Sequence, residues 1–143
     1  MRGFEPVNIK KPYFIPMRKT TNSAGYDFIL PSNITIYPSE TVVIPTNIKS
    51  YMQPDEFLQL SLRSSLGLKG LIMPNAPAVI DSDYYNNETN SGDISIILYN
   101  NSNDIIQLNQ GDRIMQGVFQ RYMKTNDDSA IGIRIGGIGS TGI

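Results

Sequence analysis

Phe57-Leu58-Gln59-Leu60-Ser61-Leu62, running into Arg63-Ser64-Ser65, is the stretch whose reading decides the fold. Leu58, Leu60 and Leu62 fall on one face, with Gln59 and Ser61 opposite. This period of two marks a half-buried strand. Outward from it, short apolar runs recur between turn residues. Phe4 to Ile9, Asn33 to Ile36, Thr41 to Ile44, Leu71 to Met73, Asp93 to Tyr99, Ile105 to Leu108 and Arg113 to Arg121 all read as strands, and Tyr51 to Pro54 as a loop. Tyr26, Asp27 and Phe28 enter a further strand behind the turn at Gly25. Leu66-Gly67-Leu68-Lys69-Gly70 allows at most about two helical turns. The fold class predicted is all-β, a jelly-roll-like antiparallel sandwich.

Composition agrees, since 12 glycines and 9 prolines interrupt runs rich in Val, Ile, Tyr and Phe. At 143 residues the chain is long enough for one domain with a proper core. That domain is expected over residues 1–124. From Lys124 onward, TNDDSAIGIRIGGIGSTGI has little hydrophobic periodicity and much glycine, so 125–143 is expected to form a mobile C-terminal arm.

The residue inventory excludes several chemistries. There is no cysteine and no histidine. Disulfides, thiolate nucleophiles, zinc–thiolate sites, imidazole bases and a serine–histidine–aspartate relay are therefore ruled out. Acid–base work falls to carboxylates, Tyr or Lys. With 12 basic and 13 acidic residues the net charge is −1, which gives no basic field for a nucleic-acid polymer but leaves a small anionic ligand open. Neither a signal-peptide core nor a run of membrane-spanning length is present, so a cytoplasmic location is expected.

Ala78-Val79-Ile80-Asp81-Ser82-Asp83-Tyr84 reads as one limb of a hairpin, with the Asn-, Ser- and Gly-rich Tyr85 to Gly92 as its turn and Asp93 to Tyr99 as the other limb. A carboxylate beside apolar side chains is poorly hydrated, which raises its pKa and suits it to take a proton from water. Asp81 is thus a candidate general base. The competing reading makes Asp81 and Asp83 ordinary turn residues. Arg63-Ser64-Ser65 offers a guanidinium, two hydroxyls and backbone N–H groups suited to phosphate oxygens, or is simply a serine turn. Arg134 to Gly142 combines an arginine, Ser140, Thr141 and glycines able to aim N–H groups at an anion, yet a glycine-rich terminus is also compatible with disorder. Neither a Walker loop nor a dinucleotide fingerprint is present.

In order along the chain, AGYD at Ala24 to Asp27, RSSLG at Arg63 to Gly67, AVIDSDY at Ala78 to Tyr84, GDRIMQ at Gly111 to Gln116 and RIGGIGSTG at Arg134 to Gly142 resemble the five motifs of the trimeric dUTPases. The resemblance implies a jelly-roll homotrimer, in which each arm closes over a neighbouring subunit's active site. It implies hydrolysis of dUTP to dUMP and pyrophosphate by an ordered water attacking the α-phosphorus, with Mg²⁺ on the phosphates. Such an activity limits uracil in DNA and supplies dUMP for dTMP synthesis. Asp81 matches the carboxylate that activates the water. Tyr84 matches the ring that packs on deoxyribose and refuses a 2′-hydroxyl. Asn75 and the backbone of Gly92 to Ile94 would read uracil. Ser64 and Gln116 would contact the phosphate chain with Arg63 and Ser65 close by, and Asp27 would support the metal indirectly, through water or phosphate. Arg134, Ser140 and Thr141 would clamp the β and γ phosphates.

Three positions depart from the family pattern. Ile138 stands where a phenylalanine usually stacks on uracil. Ala78 replaces a usual glycine, and Asn86 replaces another at the start of a longer Asn86 to Ser91 loop. Two rival readings follow. A dCTP deaminase resembles this fold but calls for a glutamate at the base, and Glu5, Glu40, Glu56 and Glu88 lie outside any matching motif. The three departures also motivate a regulatory protein that binds an unidentified protein partner on this scaffold, against which stands the retention of Asp81, Ser64, Gln116 and Arg134.

Overall fold

The computed structural model describes residues 1–138. Eleven strands alternate with tight turns: β1 (Gly3–Pro6), β2 (Tyr26–Ile29), β3 (Ile34–Ile36), β4 (Thr41–Pro45), β5 (Ile48–Tyr51), β6 (Glu56–Leu62), β7 (Leu71–Ile72), β8 (Ala78–Asp81), β9 (Ser95–Asn100), β10 (Ile106–Leu108) and β11 (Arg113–Arg121). The one helix among the described residues, α1 (Ser64–Leu68), is five residues long. Among the described residues, a 3-10 turn covers Ser82–Tyr84.

β6 lies inside a four-stranded sheet of order β2-β11-β6-β8. A second sheet of order β4-β9-β7 faces it, with the antiparallel pairs β1-β5 and β3-β10 alongside. The period of two in β6 explains the layering. Leu58 and Leu60 are buried, as are Phe28 of β2 and Met115 of β11, and they share one core cluster with Ile44, Ile96 and Leu98 of the other sheet. The opposite face of β6 carries half-buried Phe57, Gln59 and Ser61. Phe4 of β1 closes one end of the core, with its ring 5.5 Å from Phe28 edge-on and 5.3 Å from Phe119. The fold is the antiparallel all-β sandwich expected.

Two expectations are corrected. Ile48–Tyr51 is a strand, whereas the sequence reading began a loop at Tyr51. Lys49 and Ser50 disguise it, because Ser50 points inward at 1% exposure in place of an apolar residue. Second, β8 and β9 are not the two limbs of a hairpin. β8 pairs with β6, and β9 pairs with β4 and β7. The 3-10 turn after Asp81, followed by positive φ at Asn86, Ser91 and Gly92, carries the chain out of one sheet and into the other. Asn86 takes its left-handed conformation in place of glycine, a substitution that asparagine tolerates better than most residues. No described strand or helix follows Arg121, and no described helix is long and apolar enough to cross a membrane.

Candidate active site

β8 is the edge strand of its sheet, and a cavity of about 370 Å³ lies along it. Asn75, Ala78, Asp81, Tyr84, Arg134 and Ile138 line this cavity, with Ser95 and Ile97 of β9 on the far side. Six residues singled out from sequence thus converge. Asp81 sits at the last position of β8, opposite Phe57, and faces outward. Its side chain is 51% exposed rather than enclosed by apolar groups, because it closes an edge strand at the cavity mouth.

The arm returns across this site. Arg134, with a side chain only 8% exposed, donates from Nη2 to Asp81 Oδ2 at 2.5 Å and from Nε to Asp83 Oδ1 at 2.6 Å. Its guanidinium carbon also lies 5.8 Å from the centre of the Tyr84 ring, a cation–π distance. Ile135 accepts the backbone N–H of Glu88 at 2.9 Å. Ile138 lines the cavity while remaining 68% exposed. Ser140 and Thr141 lie outside the described residues.

Tyr84 is buried, and its hydroxyl is held from two sides. It donates to the carbonyl of Asp93 at 3.0 Å and accepts from Asn90 Nδ2 at 2.8 Å. Burial pushes the Asp93 carboxyl above the usual range, opposed by the N–H groups of Asn47 and Thr46. The backbone expected to read a base is largely committed inside the chain. Gly92 donates to Asn90 Oδ1, while Ile94 donates to the carbonyl of Ile48 and accepts from Thr46.

Arg63, Ser64, Ser65, Gln116 and Asp27 gather elsewhere. Arg63 follows β6 at the end opposite the Phe57–Asp81 pair, six residues along. At about 3.3 Å per residue that is roughly 20 Å. Here Asp27, Gln116 and Ser61 form one row across three strands. A register shift between Arg113 and Met115 makes Ile114 an extra residue, and the Ile114 carbonyl accepts the Arg63 N–H at 3.0 Å. Such bulges re-aim side chains at sheet ends. Arg63 Nη1 donates to the Arg113 carbonyl at 3.3 Å, and Arg113 Nη1 reaches Asp27 Oδ2 at 3.3 Å. Gly25 admits Gln116, since a Cβ there would stand 2.5 Å from Gln116 Oε1.

Three participants went unassigned by sequence: Asp83, Asn90 and Arg113. Asp83 and Arg113 lay within quoted motifs, DSDY and GDRI. Asn90 carried no signal.

Among the described residues, no group of three or more His, Cys, Asp or Glu side chains could hold a metal alone. Asp27, half-buried and next to Arg113, fits only an indirect role toward Mg²⁺. Mg²⁺ commonly binds through substrate phosphates and retained waters, with one or two carboxylates.

The dUTPase family model matches residues 11–142. The deoxyuridine 5'-triphosphate nucleotidohydrolase of Lactococcus lactis subsp. lactis (strain IL1403) is 40% identical over 99% of this chain and 98% of that one. A crystal structure of dUTPase from Streptococcus mutans superposes with a TM-score of 0.81 at 37% identity, covering 87% of this chain and 98% of that chain. EIAV dUTPase superposes at 0.68 with 25% identity, over 92% and 95%.

Proposed function

Because this chain belongs to the dUTPase family and is a dUTP diphosphatase, we propose that Asp81 activates the water that converts dUTP to dUMP and pyrophosphate. The supporting observation is the half-exposed Asp81 carboxylate on a cavity that also presents Asn75, Tyr84, Arg134 and Ile138. Asp81 accepts the water's proton as its oxygen bonds to the α-phosphorus. The bond from that phosphorus to the bridging oxygen breaks, and its electron pair leaves with pyrophosphate.

Arg134 supplies the order of events. While it pairs with Asp81 its guanidinium occupies the carboxylate oxygen Oδ2, at 2.5 Å. A triphosphate presents more negative charge, so it draws the guanidinium off Asp81 and frees the base as substrate enters. Asp83, holding Nε, keeps the side chain nearby. Tyr84 walls the sugar side, Asn75 offers its amide to uracil, and the Gly92 to Ile94 backbone lines the turn behind the base.

Arg63, Ser64, Ser65 and Gln116 are the phosphate contacts in this proposal, together with Ser140 and Thr141. The separation of roughly 20 Å along one strand supports their arriving from another copy of the chain, hence a site shared in a homotrimer. When bound, Mg²⁺ neutralises phosphate charge. Asp27 supports that region through water.

Pyrophosphate release from dUTP, dCTP, dTTP and UTP in the presence of Mg²⁺ tests the proposal. Selective dUTP turnover should fall by roughly 10²- to 10⁴-fold in Asp81→Asn. Undiminished turnover in that variant would remove Asp81 from the role of base, and a folded wild-type chain that hydrolyses no nucleotide would overturn the enzyme reading.

A further inference from the structure

The Asn86 to Ser91 loop holds the sugar wall and seats the arm through one side chain. The geometry points to Asn90 as a positioning residue, acting through Tyr84 on sugar discrimination and through Gly137 on arm closure. This inference rests on the proposed function.

Asn90 is fixed before it acts. Its partner Asn87 is 7% exposed and donates from Nδ2 to Asn90 Oδ1 at 2.7 Å, while Asn87 Oδ1 accepts the Asn90 N–H at 3.1 Å. Asn90 Oδ1 also accepts from the Gly92 N–H at 3.0 Å. With its oxygen occupied from two sides, the amide can orient only one way. Nδ2 is thereby aimed at the Tyr84 hydroxyl, 2.8 Å away. The Asp93 carbonyl holds the same hydroxyl from the other side at 3.0 Å, so the phenol is clamped between donor and acceptor. A wall that excludes a 2′-hydroxyl depends on where this ring stands. Loosening the clamp lets the ring tilt, and dUTP loses more than UTP does.

The same amide is the surface on which the arm rests. A Cβ built at Gly137 would stand 2.6 Å from Asn90 Nδ2, 3.0 Å from Cγ and 3.2 Å from Oδ1. A larger residue at 137 would have to push the Asn90 amide aside, and the next residue, Ile138, lines the cavity. Asn90 therefore sets the depth at which the arm closes. The Asn86 to Ser91 loop in this way takes part in both the sugar filter and the closing of the arm.

The test is steady-state kinetics of the full chain with dUTP and UTP, on wild type, Asn90→Ala, Gly137→Ala and the double variant. Asn90→Ala is expected to raise the KM for dUTP about ten-fold, with kcat within about two-fold, and to lower the dUTP-over-UTP preference about ten-fold. Gly137→Ala should raise KM comparably alone and by much less when Asn90→Ala has removed the amide it strikes. A role in loop stability alone gives no such compensation. Unchanged KM and preference in Asn90→Ala, or strictly additive effects in the double variant, would overturn the inference. Should Asn90→Ala fail to fold, an unaltered KM in Gly137→Ala would overturn it equally. If wild type turns over no dUTP, the functional reading fails and takes this one with it. Normal wild-type turnover with any of the contrary variant results counts against Asn90 alone.

Discussion

At the Asp81 end of β6, polar groups converge on a cavity of about 370 Å³ and bind one another, as Arg134 does across Asp81 and Asp83. At the Arg63 end, Ser64 and Ser65 stand exposed, Gln116, Asp27 and Ser61 form a row across three strands, and Arg113 pairs with Asp27. The first end has Asp81 and Tyr84, the base and the sugar wall of the proposed mechanism, and a resident cation in Arg134. The second has hydroxyls, amides and a guanidinium suited to phosphate. A stiff strand keeps the two ends roughly 20 Å apart. One rigid strand can thus serve two sites at once, if each end faces a different neighbour.

The largest effect should separate the two ends by kind. Substitution at Asp81 removes chemistry, so Asp81→Asn should lose kcat with little change in KM. Ser64→Ala combined with Gln116→Ala should raise KM and lower kcat together, by about 10- to 100-fold in kcat/KM, since phosphate contacts act in both ground and transition states. Steady-state assays of the two variants side by side read this directly, and identical kinetic signatures would erase the distinction.

The strand joining the ends is the next target. Leu58→Ala, at the centre of β6 and fully buried, should cost about 2–5 kcal/mol in chemical denaturation. It should lower activity only as far as it lowers the folded fraction.

A smaller effect concerns the strand's beginning. The Arg2 guanidinium, 2.5 Å from Glu56, holds that carboxyl below the usual range. A lowered folded-state pKa contributes stability that is present above the unfolded value of 4.5 and is lost as pH falls through the folded value. Glu56→Gln should therefore flatten the acid limb of a stability–pH curve below about pH 4.5 while leaving its neutral-pH shape unchanged. A limb of unchanged steepness would assign the acid sensitivity elsewhere.

The smallest effect is at the lid. Ile138→Phe should lower KM by roughly two- to five-fold, because an aromatic face stacks on uracil where an aliphatic side chain only covers it. An unchanged KM would show that the arm closes without using this position for the base.

How legible this was in the sequence follows from what each signal encodes. Alternation in Leu58, Leu60 and Leu62 reports which face is buried, and that face carries the core. It does not report which strand lies alongside, so β8 and β9 were read as partners although they belong to different sheets. β5 escaped because one of its two inward residues, beside Ile48, is Ser50, whose hydroxyl is buried without a hydrogen-bond partner among the described residues. Asp81, Tyr84 and Arg134 were identifiable as residue types within motifs. Their contacts were not, because Arg134 reaches Asp81 across 53 positions of sequence. Asn90 was invisible for the same reason, being defined by what folds onto it from the arm and from Tyr84.

The division of the site between copies is tested most directly by mixing two impaired proteins, Asp81→Asn and the Ser64→Ala, Gln116→Ala double variant, unfolded together and refolded at equal concentration. In a trimer whose sites join opposite ends of β6 from neighbouring chains, about a quarter of the sites regain both intact halves, and dUTP hydrolysis returns to about that fraction of wild type. A mixture no more active than its separate components would contradict the shared site.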